Sequence, residues 1–224
     1  NDSVKEEQDN LLGIKSSQKI IGTVGRLDTP KNIFTFLDAA QSLIRIRDDV
    51  IFYIIGGGIL EDELKNKAIE LKIDDKCFFL GWRKDARQLI TQFDIYLCTS
   101  IRESLGNSII EACFQAKPVV APMIDGITEI LNNETGVLLK PCNKIHVPLT
   151  PNCSPIPDRI IINNNLVSPK ALDPEEISET INNLLNDPKR SNIIGEFARR
   201  NTVSKFSIDL YCSNLINTYN NLLN

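Results

Sequence analysis

KIIGTVGRL, residues 19–27, decides the fold. Ile20, Ile21, Thr23 and Val24 are β-branched, the run ends at Gly25-Arg26, and this composition favours a short buried strand. NIFTFLDAAQSLIRI (32–46) follows, with Ile33, Phe36, Leu37, Ala40 and Leu43-Ile44 on one face at helical spacing. VIFYIIGGG (50–58) is a second strand that stops at three glycines, and LEDELKNKAIELKI (60–73) is an amphipathic helix. CFFLG (77–81), IYLCTS (95–100), KPVVAPM (117–123) and GVLLKP (136–141) continue the strands, with helical stretches near 84–93 and 106–115. Continuously apolar strands alternating with helices predict a doubly wound, Rossmann-like α/β domain whose parallel sheet is covered on both faces. In such sheets ligands sit beyond the carboxyl ends of the strands. The positions of interest are therefore Gly25-Arg26, Gly56–Gly58, Gly81-Trp82-Arg83, Ser100–Gly106 and Met123–Gly126.

The rhythm breaks at 141–174, where seven of the chain's eleven prolines fall (141, 148, 151, 155, 157, 169 and 174). Regular helix and central strand are excluded there. A short strand is expected at DRIIINNNLVSP. Beyond it, DPEEISETINNLLN (173–186) has Asp as N-cap and Pro at the first helical position, and two further helices close the chain. Residues 1–18 are polar and read as a linker with a short helix near 4–12.

The 224 residues carry a net charge of −4, which gives a nucleic-acid polyanion nothing general to bind. Six scattered cysteines form no CxxC pair, so a disulfide framework is not indicated and buried thiols are the plainer reading. No apolar run reaches the roughly 20 residues that span a bilayer, and no signal peptide opens the sequence. A cytoplasmic protein is expected, and the start at Asn1 suggests a piece of a longer chain.

Two cations stand at the first strand exit. Arg26 follows the strand, and Lys31 lies past a Pro at the next helix entry, where free backbone N–H groups favour an anion such as a diphosphate. Two solvated side chains would look the same in this fragment alone. Gly56-Gly57-Gly58 lets something approach the backbone closely but is not a dinucleotide fingerprint, so a NAD site is not expected. RESLGNSIIEA (102–112) places Glu103 in a strand-exit loop and Glu111 about one turn inside a helix. Eight residues of ideal helix span about 12 Å, more than the roughly 5–9.5 Å of a glycosidase carboxylate pair. Separate binding duties for hydroxyls of different moieties suit the pair better, with the helix N-terminus near Gly106 facing an anion; surface residues remain the alternative.

Taken in order, GRLDTPKNIFTFLDAA, IIGGGILEDEL, FFLGW, the E-x7-E of RESLGNSIIEA, KPVVAP-IDGITEIL and NETGVLLKP resemble the retaining glycosyltransferase family 4. The likeness is to the carboxy-terminal, nucleotide-sugar-binding domain of its GT-B fold, over 19–141 and again over 173–224. The resemblance implies that Arg26 and Lys31 hold the donor diphosphate and, with Glu103, form the catalytic set. It implies that Glu103 meets hydroxyls of the transferred sugar and Glu111 the ribose. Leu105, Gly106 and Asn107 would offer backbone N–H groups, while Gly56, Trp82 and Arg83 would border the nucleotide. The leaving diphosphate itself would assist the acceptor, with neither cofactor nor metal. Donors carrying UDP or GDP, and polysaccharide, lipopolysaccharide or capsule assembly, are the family's usual setting.

The resemblance also implies what is absent. An amino-terminal, acceptor-binding domain would complete the active site, residues 206–224 would cross back to it, and any membrane contact would come through that half. A fragment comprising 19–205 with an insertion at 142–172 is expected to bind a nucleotide sugar and transfer little by itself. The alternative is a non-catalytic nucleotide-sugar-binding subunit working with a partner chain. Two departures from the family pattern concern glycines, replaced here by Ala116 and Asp125, and the third is the insertion itself.

Overall fold

A computed structural model describes residues 17–147 and 153–223. Strand β1 (Lys19–Val24) leads through a 3-10 turn (Thr29–Lys31) into helix α1 (Ile33–Ile44), and then β2 (Val50–Ile55), α2 (Glu61–Glu70) and β3 (Cys77–Gly81) follow. The chain continues through α3 (Ala86–Ile90), β4 (Ile95–Leu97), α4 (Asn107–Phe114), β5 (Val119–Pro122), α5 (Ile127–Ile130) and β6 (Val137–Leu139). These strands form one parallel sheet in the order β3-β2-β1-β4-β5-β6, as the alternation of strand and helix requires. The order reverses between β1 and β4, the switch point at which open α/β sheets commonly bind ligands.

Burial on both faces explains the continuous apolar strands. Within β2 every residue is buried; Phe52 and Ile54 point into a core with Phe36, Leu37, Leu64 and Ile177, and Ile51, Tyr53 and Ile55 into a second with Tyr96, Ile109, Cys113 and Ile127. Helix α6 (Pro174–Asn186) packs on α1, and α7 (Pro188–Phe206) packs on α4. Both helices begin as the sequence indicates, with the Asp173 and Asp187 carboxylates accepting from Glu175 N and Arg190 N. Helix α8 (Ile208–Leu223) stands away from both cores, with Leu210, Leu215, Ile216 and Tyr219 exposed. The expected linker and its helix near 4–12 lie outside the described residues, apart from positions 17 and 18.

Among the described residues no helix is long and apolar enough to cross a membrane. Cys77, Cys98 and Cys113 are buried thiols, and burial pushes Cys113 up to about 12, far from a reactive thiolate.

The insertion holds two strands where the sequence indicates one. Strands β7 (Ile160–Ile162) and β8 (Asn165–Val167) form an antiparallel hairpin with Asn163 and Asn164 both at positive φ. That is the backbone of a primed two-residue turn, which Asn tolerates. Ile160 is buried in the second core, and Ile162 and Val167 pack beside it. At its base the insertion closes on itself, because Asn143 and Ala171 exchange backbone hydrogen bonds of 2.9 and 3.0 Å.

Candidate functional site

The exit loops of β1 and β4 converge. Lys31 donates to the Glu103 carboxylate across 72 residues of sequence, and the two side chains are only 24% and 15% exposed. The backbones meet as well: Ile101 N donates to Pro30 O at 2.9 Å, and the Thr99 hydroxyl to Lys31 O at 3.1 Å. Ser100 Oγ adds a 3.3 Å hydrogen bond to Glu103 Oε2, and the Cys98 thiol lies 3.3 Å beneath Ser100 Oγ. The stem of Lys31 folds over Gly25, and Arg26 stands exposed beside it. An ammonium and a carboxylate therefore meet where the β1 and β4 exits join, and Arg26 stands exposed at the end of β1.

Helix α4 begins at the same place. Its N-cap is Gly106, at φ +95°, a backbone that disfavours residues with a Cβ. No side chain caps the first turn, so its N–H groups and the positive end of the helix are open to an anion. Asn107 is the first helical residue, and Glu111 follows one turn inside, as the sequence indicates.

Glu111 faces a different neighbour. Arg87 Nε donates to its Oε1 at 2.9 Å, and a cavity of about 600 Å³ there is lined by Leu105, Asn107 and Glu111 together with Ser207 and Tyr211. The two glutamates thus have different partners, Lys31 for Glu103 and Arg87 for Glu111, and the cavity at Glu111 reaches Leu105 and Asn107 at the start of α4. Arg87 was not apparent in the sequence, because nothing in its surroundings signals a partner 24 residues away.

Trp82 is 77% exposed, with its indole lying across Gly57, and Arg83 is held by Asp85 through a two-pronged pair at 2.6 and 2.7 Å. Gly56 has a packing reason of its own, since a Cβ there would overlap the Gly25 carbonyl oxygen. His146 lines a separate cavity with Asp38, Lys67 and Glu70 and shares no residue with the Lys31–Glu103 pair.

Asp28, absent from the sequence-based set, ties the β1 loop to the insertion. Its carboxylate accepts from Thr29 N at 2.8 Å, from Ser154 N at 3.0 Å and from the Ser154 hydroxyl. Burial works to raise its pKa, but these hydrogen bonds and the Arg26 charge outweigh burial and hold it below the usual carboxylate value. A depressed carboxyl stabilises the fold above its unfolded pKa and loses that contribution as pH falls through its folded value. Asp28→Asn is expected to cost about 1–2 kcal/mol at neutral pH. Denaturant titrations at stepped pH should show this gap closing below the ordinary value of 3.8.

The fold is a Rossmann-like α/β domain whose β1 and β4 exit loops meet beside the start of α4. A family profile described as glycosyl transferases group 1 matches residues 4–148, more than half of the sequence, and the chain belongs to that family. A curated relative from Escherichia coli, UDP-Gal:alpha-D-GlcNAc-diphosphoundecaprenol alpha-1,3-galactosyltransferase, is 29% identical over 141 residues, covering 62% of this chain and 36% of that protein. The structure resembles HepE of Anabaena, solved with UDP and glucose, at a TM-score of 0.76 and 21% identity over 98% of this chain and 52% of that one. It also resembles the C-terminal domain of the group 1 protein LpcC from Francisella tularensis, at 0.64 and 21% identity over 85% and 87% of the two chains. The chain spans about a third of the length of curated relatives it matches, with 36%, 33% and 36% covered in three of them. The six-stranded parallel sheet is that of a GT-B glycosyltransferase domain.

Proposed function

We propose that residues 19–205 are the donor-binding domain of a retaining family 4 glycosyltransferase, which transfers a sugar from a nucleoside diphosphate sugar to an acceptor bound elsewhere. The observation that carries this reading is the Lys31–Glu103 pair beside the open amino end of α4, with Arg26 exposed at the end of β1. A diphosphate there gains two cations and oriented N–H groups, and a sugar hydroxyl gains the Glu103 carboxylate. Glu111, in the cavity that reaches the start of α4, suits a ribose diol. As the bond to the leaving phosphate breaks, charge accumulates on its oxygens, and Arg26, Lys31 and the α4 dipole are already placed to stabilise it. This reading assigns that task to the protein's own groups and invokes no metal. A UDP-Gal-using relative and UDP-bound structural neighbours support a nucleotide-sugar donor.

In the same reading, α8 crosses to an amino-terminal acceptor domain that covers Leu215, Ile216 and Tyr219, now exposed. The share of each relative that this chain spans favours such a whole over a stand-alone binding subunit. Calorimetric titration with UDP, GDP and ADP, in the presence of EDTA, tests the proposal. One nucleotide is expected to bind, and Glu111→Ala to weaken it by about tenfold or more, since an ionised acceptor of hydroxyls contributes about 1.5–3 kcal/mol. Silence from all three nucleotides would sink it.

A further inference from the structure

Asp125 occupies a position between two segments that the sequence gives no reason to connect. It sits in the loop after β5 with φ at +40°, a left-handed backbone that costs a non-glycine residue energy. That strain is offset by three hydrogen bonds to two segments. Oδ1 accepts from Ile161 N at 2.7 Å while Asp125 N donates to Ile161 O at 2.8 Å, which seizes the first strand of the insertion hairpin. Oδ2 accepts from Glu103 N at 3.2 Å. Next door, Gly126 N donates to Glu103 O at 3.1 Å, so both backbone groups of Glu103 are held by residues 125 and 126.

The insertion is pinned a second time, at Ser154, by Asp28 in the loop after β1. Between Ser154 and Ile161 the chain therefore spans from the β1 exit to the β5 exit. Strand β4, whose exit loop carries Glu103, lies between those two strands in the sheet. Ile160 is buried in the core, which makes the anchored end firm.

We propose that Asp125 is a positioning residue that locks the insertion onto the Glu103 loop, so that the insertion, together with the sheet, sets where Glu103 meets the sugar of the donor. The proposal rests on the donor-binding reading above and deepens it: the nucleotide is held by the cations, α4 and Glu111, and the sugar subsite is set by the strap. Asp125 touches neither in this arrangement; it acts through the Glu103 backbone.

Asp125→Gly is the informative change, because glycine adopts the left-handed backbone without strain and removes only the carboxylate. Asp125→Asn keeps one acceptor oxygen and a residue that tolerates this backbone. The full chain and both variants are compared by amide hydrogen exchange over residues 100–106 and 153–167, and by calorimetry with the nucleoside diphosphate that binds the parent chain and with its glucose, galactose, N-acetylglucosamine and mannose conjugates. In Asp125→Gly, faster exchange is expected in both segments, and the affinity gained on adding the sugar is expected to fall by about tenfold, the loss of one charge-assisted hydrogen bond. Affinity for the nucleoside diphosphate itself should stay within about twofold, and Asp125→Asn should fall between.

Unchanged exchange in either segment overturns the lock. Faster exchange with an unaltered sugar increment overturns the positioning role and leaves a structural tie alone. An equal loss for diphosphate and conjugate overturns it too, because the whole groove has then moved. If the parent chain binds no nucleotide, the donor-binding reading fails first and takes this proposal with it, an outcome visible before any variant is made.

Discussion

On the donor-binding reading proposed above, Lys31→Ala should lower sugar transfer about 10²–10³-fold, in proportion to the one charge it removes from the leaving diphosphate. The same substitution should also destabilise the domain, and the two effects are separable. Glu103 is 15% exposed and paired to Lys31, so deleting the cation strands a largely desolvated carboxylate. Removing one partner of a buried pair costs about 3–5 kcal/mol when burial is complete, and partial exposure here reduces that to roughly 1–3 kcal/mol. A neutral pair of similar shape, Lys31→Met with Glu103→Gln, should recover most of the stability, because neither group is then left unpaired. Turnover should not return, since the cation and the carboxylate are both gone. Chemical denaturation of the three variants, alongside initial rates, reads the two effects independently. A double variant that regained activity with stability would show that the pair only holds loops together and does not touch the donor.

Gly126→Ala should have a comparable effect by a different route. A Cβ on Gly126 would overlap the Ser104 carbonyl oxygen and approach Leu105 Cα at 2.9 Å, and both obstacles are backbone that no rotamer change can clear. The Glu103–Leu105 loop must therefore move by about 1 Å, because a contact of 2.0 Å has to open past 3.0 Å, taking with it the Glu103 carboxylate and the approach to α4. Misplacement of a reacting group on that scale costs up to about 10²-fold in rate, while overpacking costs about 1–3 kcal/mol in stability. Rates measured with saturating donor should fall, and a midpoint of unfolding should fall with them. A variant as active as its parent would show that the loop has slack, and that Glu103 needs no fixed address.

How much of this was legible in the sequence depends on distance along the chain. Each parallel strand announced itself through uninterrupted β-branched and apolar residues, since both faces of β2 are buried and nothing polar needs to alternate. The strand exits followed from that, and with them Arg26, Lys31, Glu103 and the uncapped start of α4. The IYLCTS stretch was read as strand through Ser100, whereas β4 stops at Leu97 and the remainder forms the loop floor. Residues 127–130 form a helix of one turn, too short to give a periodicity.

Hairpin β7–β8 was half visible. Asn163-Asn164 is a recognisable turn, but Asn165 and Leu166 are exposed and offer no inward-facing pattern to mark a second strand. The ties between Asp28 and Ser154, 126 residues apart, and between Asp125 and Ile161, 36 apart, carry no local signature. Asp125 itself stood out only as a residue where glycine was expected. Its reason is tertiary, in two amides that need a carboxylate.

The pairing of Asn143 with Ala171 has one more implication. The excursion from the sheet starts and finishes at a single doorway, so its length is decoupled from the spacing of β6 and α6. Doubling such a loop costs only about 0.6 kcal/mol in chain entropy. A lineage can therefore lengthen, trim or replace the stretches beyond that doorway that lie outside the two anchored points, Ser154 and Ile161, while the sheet beneath keeps its shape.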